Sequence, residues 1–149
     1  MESSEFVRYF EKVPHLLNHF EGVYPIDKIP TRMKNKTFFV CNLDPSNMPG
    51  SHWICFLKFT ASECEIFDSL GVNISYLLPY INFNRKTHFI FNKFAVQDSS
   101  SLLCGKFVIM FVIERFLNQT MEFSDLIDEI FSKNKLNNDE IVSIFCNNL

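Results

Sequence analysis

Apolar and polar positions alternate along this chain with two different periods, and the places where the period changes mark its elements. Near the start, Phe6, Tyr9, Phe10 and Val13 recur at helical spacing, with Ser3 or Ser4 available as a cap, until Pro14 interrupts. A second helical turn is expected over His15 to Phe20, and Gly22 closes the region. Val23 to Pro30 reads as extended, and its two prolines suit a sheet edge rather than a centre. Thr37 to Leu43 is rich in β-formers and reads as a core strand. Asp44 to Gly50 is a loop by its Pro, Asn and Gly content. Strands are expected over His52–Phe59 and Cys64–Phe67, joined by a turn at Lys58–Ser62, so the two form a hairpin. Ile74 to Ile81 makes a short helix at best, and His88 to Ala95 alternates as a further strand.

The longest apolar run follows. Leu102 to Leu117 carries no proline and ends at charged Glu114 and Arg115, a length that suits a buried helix better than a strand. Two amphipathic helices complete the chain, Phe123–Phe131 and Asn138–Phe145, with Ser124 and Asn138 as caps. The pattern predicts an α+β fold in one domain, residues 1–149: a central, mostly antiparallel sheet, one long helix against it, and helices at both ends.

Composition narrows the class. Of 149 residues, 47% are hydrophobic and 18 are Phe, enough for a substantial core. The net charge of -3 produces no overall field toward nucleic acid or membrane. A small basic cluster, Arg32–Lys36, reads as a solvated turn, and Arg85–Lys86 is a second local basic patch. The five cysteines are odd in number and form no Cys-x-x-Cys, which argues against a disulfide framework or zinc knuckle and for a reducing compartment, cytosol or nucleus. The first residues, Met-Glu-Ser-Ser-Glu, do not form a signal peptide, and the run after Cys104 is too short to span a bilayer, so a soluble, non-secreted chain is expected. His15 and His19 are four apart, but no third metal ligand accompanies them.

Chemistry concentrates at three element ends. Cys104 opens the long helix, where unpaired N–H groups and the dipole favour a thiolate. His52 starts one strand of the hairpin and Asp68 follows the other, and antiparallel pairing brings those two ends to the same side of the sheet. Gln97 lies in the loop before Cys104 and can supply an oxyanion donor. Nucleophile, base, orienting carboxylate and oxyanion donor are thus all present as residue types. His88 is a rival base without the hairpin argument. Cys41, Cys55 and Cys64 fall on strands as core filler, and Cys146 is a bystander.

The ordered set Gly50-Ser51-His52-Trp53, Phe67-Asp68-Ser69-Leu70-Gly71, Gln97 and Cys104-Gly105 resembles the adenovirus-type cysteine endopeptidases, over roughly Glu5 to Leu117. Those enzymes share a fold with the proteases of ubiquitin-like proteins. The resemblance implies a papain-like layout in circularly altered order, with Cys104 as nucleophile, His52 as base and later acid, Asp68 orienting His52, and Gln97 with the Cys104 N–H forming the oxyanion hole. Trp53 and Gly105 would lie along the substrate. It implies cleavage of capsid-protein precursors at glycine-containing sites during virion maturation, by a monomer acting in the virion and in host cytoplasm or nucleus. A virophage or virus-like DNA transposon would be its source. Adenoviral enzymes also use a disulfide-linked viral peptide and DNA as activators. The stretch Tyr76–Val96 carries no Cys for such a link, so no cofactor is expected, and DNA is only a weakly supported partner. Two other functions remain open: removal of ubiquitin-like modifiers, and a non-catalytic binding role on the same fold.

Overall fold

The computed structural model describes all residues, Met1–Leu149. Helix α1 (Ser3–Phe10) is followed by a 3-10 turn over Leu16–His19, strand β1 (Phe20–Pro25), a 3-10 turn over Ile26–Lys28, and strands β2 (Thr37–Asn42), β3 (Trp53–Lys58) and β4 (Glu63–Phe67). Then come helix α2 (Ile74–Leu77), a 3-10 turn over Leu78–Tyr80, strand β5 (His88–Phe91) and helices α3 (Cys104–Leu117), α4 (Phe123–Ile130) and α5 (Lys135–Asn147). The fold is α+β, with one sheet in the order β1-β2-β3-β4-β5.

That sheet is mixed, which corrects the mostly antiparallel expectation. β2–β3 and β3–β4 pair antiparallel, while β1–β2 and β4–β5, at the two edges, pair parallel. The reason lies in the connections. Residues 26–36 and 68–87 are long enough to carry the chain back to the end it came from, so each edge strand runs the same way as its neighbour.

The sheet is covered on both faces. On one, Phe38, Val40, Cys55, Leu57 and Phe67 pack against α3, α4, α5 and α1. On the other, Phe39, Cys41, Ile54, Phe56, Cys64 and Ile66 lie beneath Ile26, Met33, Val72 and Leu77. This two-sided burial explains why β2 reads as continuous apolar sequence rather than as a clean alternation: all six of its residues are buried. Helix α3 is buried almost all round for the same reason. The Phe67 ring stacks on Phe111 of this helix at 4.2 Å between centroids.

Arg115, read from sequence as a charged helix end, turns inward. Its Nε donates to Glu65 at 2.7 Å and its Nη2 donates to the same carboxylate at 2.9 Å. Its Nη1 donates to the Asn118 and Met121 carbonyls, at 2.9 and 2.7 Å, and the guanidinium lies over the Phe59 ring. The pair ties the C-terminal end of α3 to β4. Replacing Arg115 with Ala would leave the buried Glu65 carboxylate uncompensated, and a loss of about 3–5 kcal/mol is expected in urea unfolding.

Several boundaries differ from the sequence expectation because other side chains take the capping roles. α1 is capped by Glu2 in a reciprocal box with Glu5, rather than by Ser3 or Ser4. α4 starts behind Glu122, not at Ser124. α5 starts at Lys135 behind Asn134, whose side chain accepts from the Leu136 N–H. Asn138 is therefore inside the helix, and buried. Strand β5 stops at Phe91, short of Ala95, because Asn92 turns its amide onto the neighbouring backbone instead of continuing the ladder.

Candidate active site

The hairpin places the first two groups. Counting on from the Cys55–Phe67 register, His52 and Asp68 lie diagonally across β3 and β4, just outside the paired residues. The His52 carbonyl accepts from Leu43 at 3.0 Å, which prolongs the ladder by one step and fixes the backbone that carries the ring. His52 Nε2 lies 2.6 Å from Asp68 Oδ1, and the carboxylate is buried.

Asp68 is itself held on every side. Its Oδ1 also accepts from the Leu70 N–H at 2.8 Å. Its backbone N–H donates to Asn92 Oδ1 at 3.1 Å, and its carbonyl accepts from Asn92 Nδ2 at 2.6 Å. The turn after it depends on Gly71, which has φ +89°. A Cβ there would come within 2.8 Å of the Lys93 carbonyl, so no other residue fits without strain.

Cys104 enters from the other direction, as the first residue of α3, and is only 8% exposed. Burial pushes its thiol up. Hydrogen bonds from His52 and from the Trp53 backbone, the charge of the imidazole, and the Gly105 backbone bond outweigh this, and the net shift is downward. With Nε2 on Asp68, Nδ1 is the ring nitrogen left for the thiol. Burial alone would lower the His52 pKa. The Asp68 and Cys104 bonds and charges override it and raise the pKa to about 9. Both shifts favour an ionised Cys104 beside a protonated His52, with the Asp68 carboxylate behind it. No other cysteine has such surroundings. Burial pushes Cys64 up to about 12 and Cys146 to about 11, and drives Cys41 and Cys55 higher still.

Gln97 is 2% exposed and bonded at both ends of its amide. Its Oε1 accepts from the Ser69 hydroxyl, and its Nε2 donates to the Ser101 carbonyl at 2.9 Å. The loop around it is braced from α5. Asn138 Nδ2 donates to the Val96 carbonyl at 2.7 Å, and Ser101 Oγ donates to Asp139 at 2.6 Å. The backbone of Trp53 and of Gly105, both expected along the substrate, helps to lower the Cys104 pKa. The Trp53 ring packs edge-on against Phe6 at 5.0 Å, and the Met1 side chain lies beside Gly105.

His88 sits opposite Glu63 at the start of β4, the far end of the sheet from Asp68, and cannot serve as the base for Cys104. His19 Nδ1 lies 2.8 Å from the Lys36 carbonyl, with its ring against Phe116. No three His, Cys, Asp or Glu side chains are placed to hold a metal, and no helix is long and apolar enough to cross a membrane. Ser69 stood in the quoted motif without a role of its own, and three further contributors were not singled out from sequence: Asn92, Ser101 and Asp139. Of these three, Asn92 alone left a signal, as a polar residue among the aromatics of His88–Phe94.

The paired shifts predict a pH dependence. The shifts favour the ionic form from the lowered Cys104 pKa up to about 9, where His52 would lose its proton. Alkylation of Cys104 should therefore persist below the ordinary thiol range, with an alkaline limb near 9. The same raised pKa makes the His52 proton stabilise the folded state fully below 6.5, a contribution lost as pH rises through about 9. Asp68→Asn removes the carboxylate that sustains the shift and should move the alkaline limb downward. An unmoved limb would show that another group orients His52.

No family model matches the chain, and no curated protein matches it. Among solved structures it is similar to the central domain of the uncharacterized Lpg1148 protein from Legionella pneumophila, at 14% identity over 87% of this chain and 85% of that one, with a TM-score of 0.44. A likeness of that degree contributes nothing to the reading of the site.

Proposed function

We propose that the chain is a cysteine endopeptidase in which Cys104 attacks the peptide carbonyl, His52 moves the proton and Asp68 holds His52. The observation that carries this reading is one imidazole with its Nε2 at 2.6 Å from a buried carboxylate and its other side on a thiol of lowered pKa at a helix start. A lone buried cysteine would show the opposite shift, as the other four do.

The thiolate sulfur forms a bond to the carbonyl carbon, and the π electrons move to oxygen. The Gln97 amide and the Cys104 N–H are the donors assigned to that oxyanion. Its collapse breaks the C–N bond as the imidazolium gives its proton to the leaving nitrogen. Water then attacks the thioester, losing a proton to His52, and thiolate and acid are released. The layout fits a papain-like arrangement in circularly altered order, with the strands that carry the base preceding the nucleophile helix in the chain.

The substrate we assign is an extended segment of a capsid-protein precursor, cut after glycine. A cleft of about 420 Å³ adjoins Trp53, lined by Met1–Ser3, the ends of β1 and β2 and the Asp44–Gly50 loop. Leu102 stands out into solvent two residues before the nucleophile, free to lie against a bound chain, and a glycine beside the cut would let that chain approach closely. The test is a peptide series differing only at the residue on the amino side of the cut. Gly should be cleaved, with strong loss for Ala and Val, and all cleavage should vanish in Cys104→Ala. Equal rates for the three residues would refute the glycine preference, and cleavage without Cys104 would refute the enzyme assignment.

A further inference from the structure

Ser69 follows the orienting carboxylate directly in the chain, is fully buried, and directs both its carbonyl and its hydroxyl to the Gln97 loop. Its carbonyl accepts from the Val96 and Gln97 N–H groups at 2.8 and 2.9 Å, and its hydroxyl bonds Gln97 Oε1. The direction of that last bond follows from Ser101. A backbone carbonyl can only accept, so the amide edge facing the Ser101 carbonyl must be Nε2, and the edge facing Ser69 must be Oε1. Ser69 then has to donate. In the flipped amide, Oε1 would meet the Ser101 carbonyl, acceptor against acceptor. The serine hydroxyl and the carbonyl together allow one orientation, with one Nε2 hydrogen spent on Ser101 and the second left free for a ligand.

Resting on the cysteine-protease reading above, we propose that Ser69 is the positioning residue of the oxyanion donor: its hydroxyl locks the Gln97 amide with Nε2 toward the nucleophile loop. Asp68 and Ser69 then set the two halves of the machinery from one dipeptide, Asp68 through His52 and Ser69 through Gln97. Asn92 pins that dipeptide through the Asp68 backbone. Ser69 does not touch substrate, and its effect passes entirely through Gln97.

The experiment compares two reactions of the same thiol in Ser69→Ala. Peptide hydrolysis passes through an oxyanion. Alkylation by iodoacetamide does not, because the sulfur displaces iodide from a saturated carbon. For Ser69→Ala, kcat for a glycine-site peptide should fall about tenfold with KM little changed, less than the loss expected of removing the donor itself. The iodoacetamide rate at Cys104 and its pH profile should stay at the unaltered values. Ser69→Thr, which keeps the hydroxyl, should recover turnover relative to Ala, and Ser69→Ala should add no loss in a Gln97→Ala background. Unchanged hydrolysis in Ser69→Ala overturns the proposal. So does a parallel fall of hydrolysis and alkylation, which would make Ser69 a prop for the whole site, and so does full additivity with Gln97→Ala. Failure of the underlying enzyme reading looks different: in the unaltered chain, hydrolysis would not depend on Cys104, nor would alkylation at Cys104 depend on His52.

Discussion

Cys104→Ala is expected to bring peptide cleavage to the uncatalysed background while the chain still unfolds cooperatively, with a midpoint near that of the unaltered protein. The change removes one sulfur atom at the first residue of α3 and leaves the His52–Asp68 bond in place. No other cysteine can take over, because each remaining thiol is buried and its pKa is raised. Cys104→Ser should be nearly as inactive, since a hydroxyl beside the same imidazole remains protonated where the thiol does not. Turnover of a glycine-site peptide, read with a denaturant curve, checks both. Cleavage persisting in the alanine variant, with the midpoint unmoved, would remove Cys104 from the mechanism.

The second large effect belongs to Gln97. Gln97→Ala should lower kcat by roughly 10²–10³-fold, the loss of one oxyanion donor, equivalent to about 2.7–4 kcal/mol of transition-state stabilisation. Here the expectation has a structural basis as well as a chemical one. The amide is buried, both its ends are bonded, and its Nε2 points toward the loop that leads to the nucleophile. Alkylation of Cys104 by a small haloacetamide should be unchanged, since that reaction forms no oxyanion. A rate within about threefold of the unaltered chain would reduce Gln97 to a loop residue.

How much of this could be read in the chain differs by residue. The meeting of His52 with Asp68 was legible because a short turn fixes the hairpin that joins their two strand ends, and the place of Cys104 at a helix start because a long apolar run begins there. The direction of β1 and β5 was not legible. Period-two alternation reports which face a residue occupies but is silent on whether a strand runs with or against its neighbour. Arg115 was misread because its partner Glu65 lies fifty positions away, on a strand whose alternation alone would not mark a carboxylate as buried. Asn138 was taken for a helix cap, since Asn before an apolar stretch is ambiguous between a cap and an internal bracket. Ser69 stood in a quoted motif, yet its task depends on Gln97, twenty-eight residues further on, which no local pattern encodes.

The bracing of the Gln97 loop by α5 separates two properties of the site. His52 and Asp68 are 16 positions apart and meet through the hairpin alone. The brace spans further: Asn138 reaches back 42 positions to Val96, and Asp139 reaches back 38 to Ser101. Under the proposed reading, weakening the brace would disturb the oxyanion side of the site while leaving the thiol and its base in place. Asp139→Asn should therefore lower peptide turnover more than it lowers the iodoacetamide rate at Cys104. Equal losses in the two reactions would show that the brace holds the whole site rather than its loop.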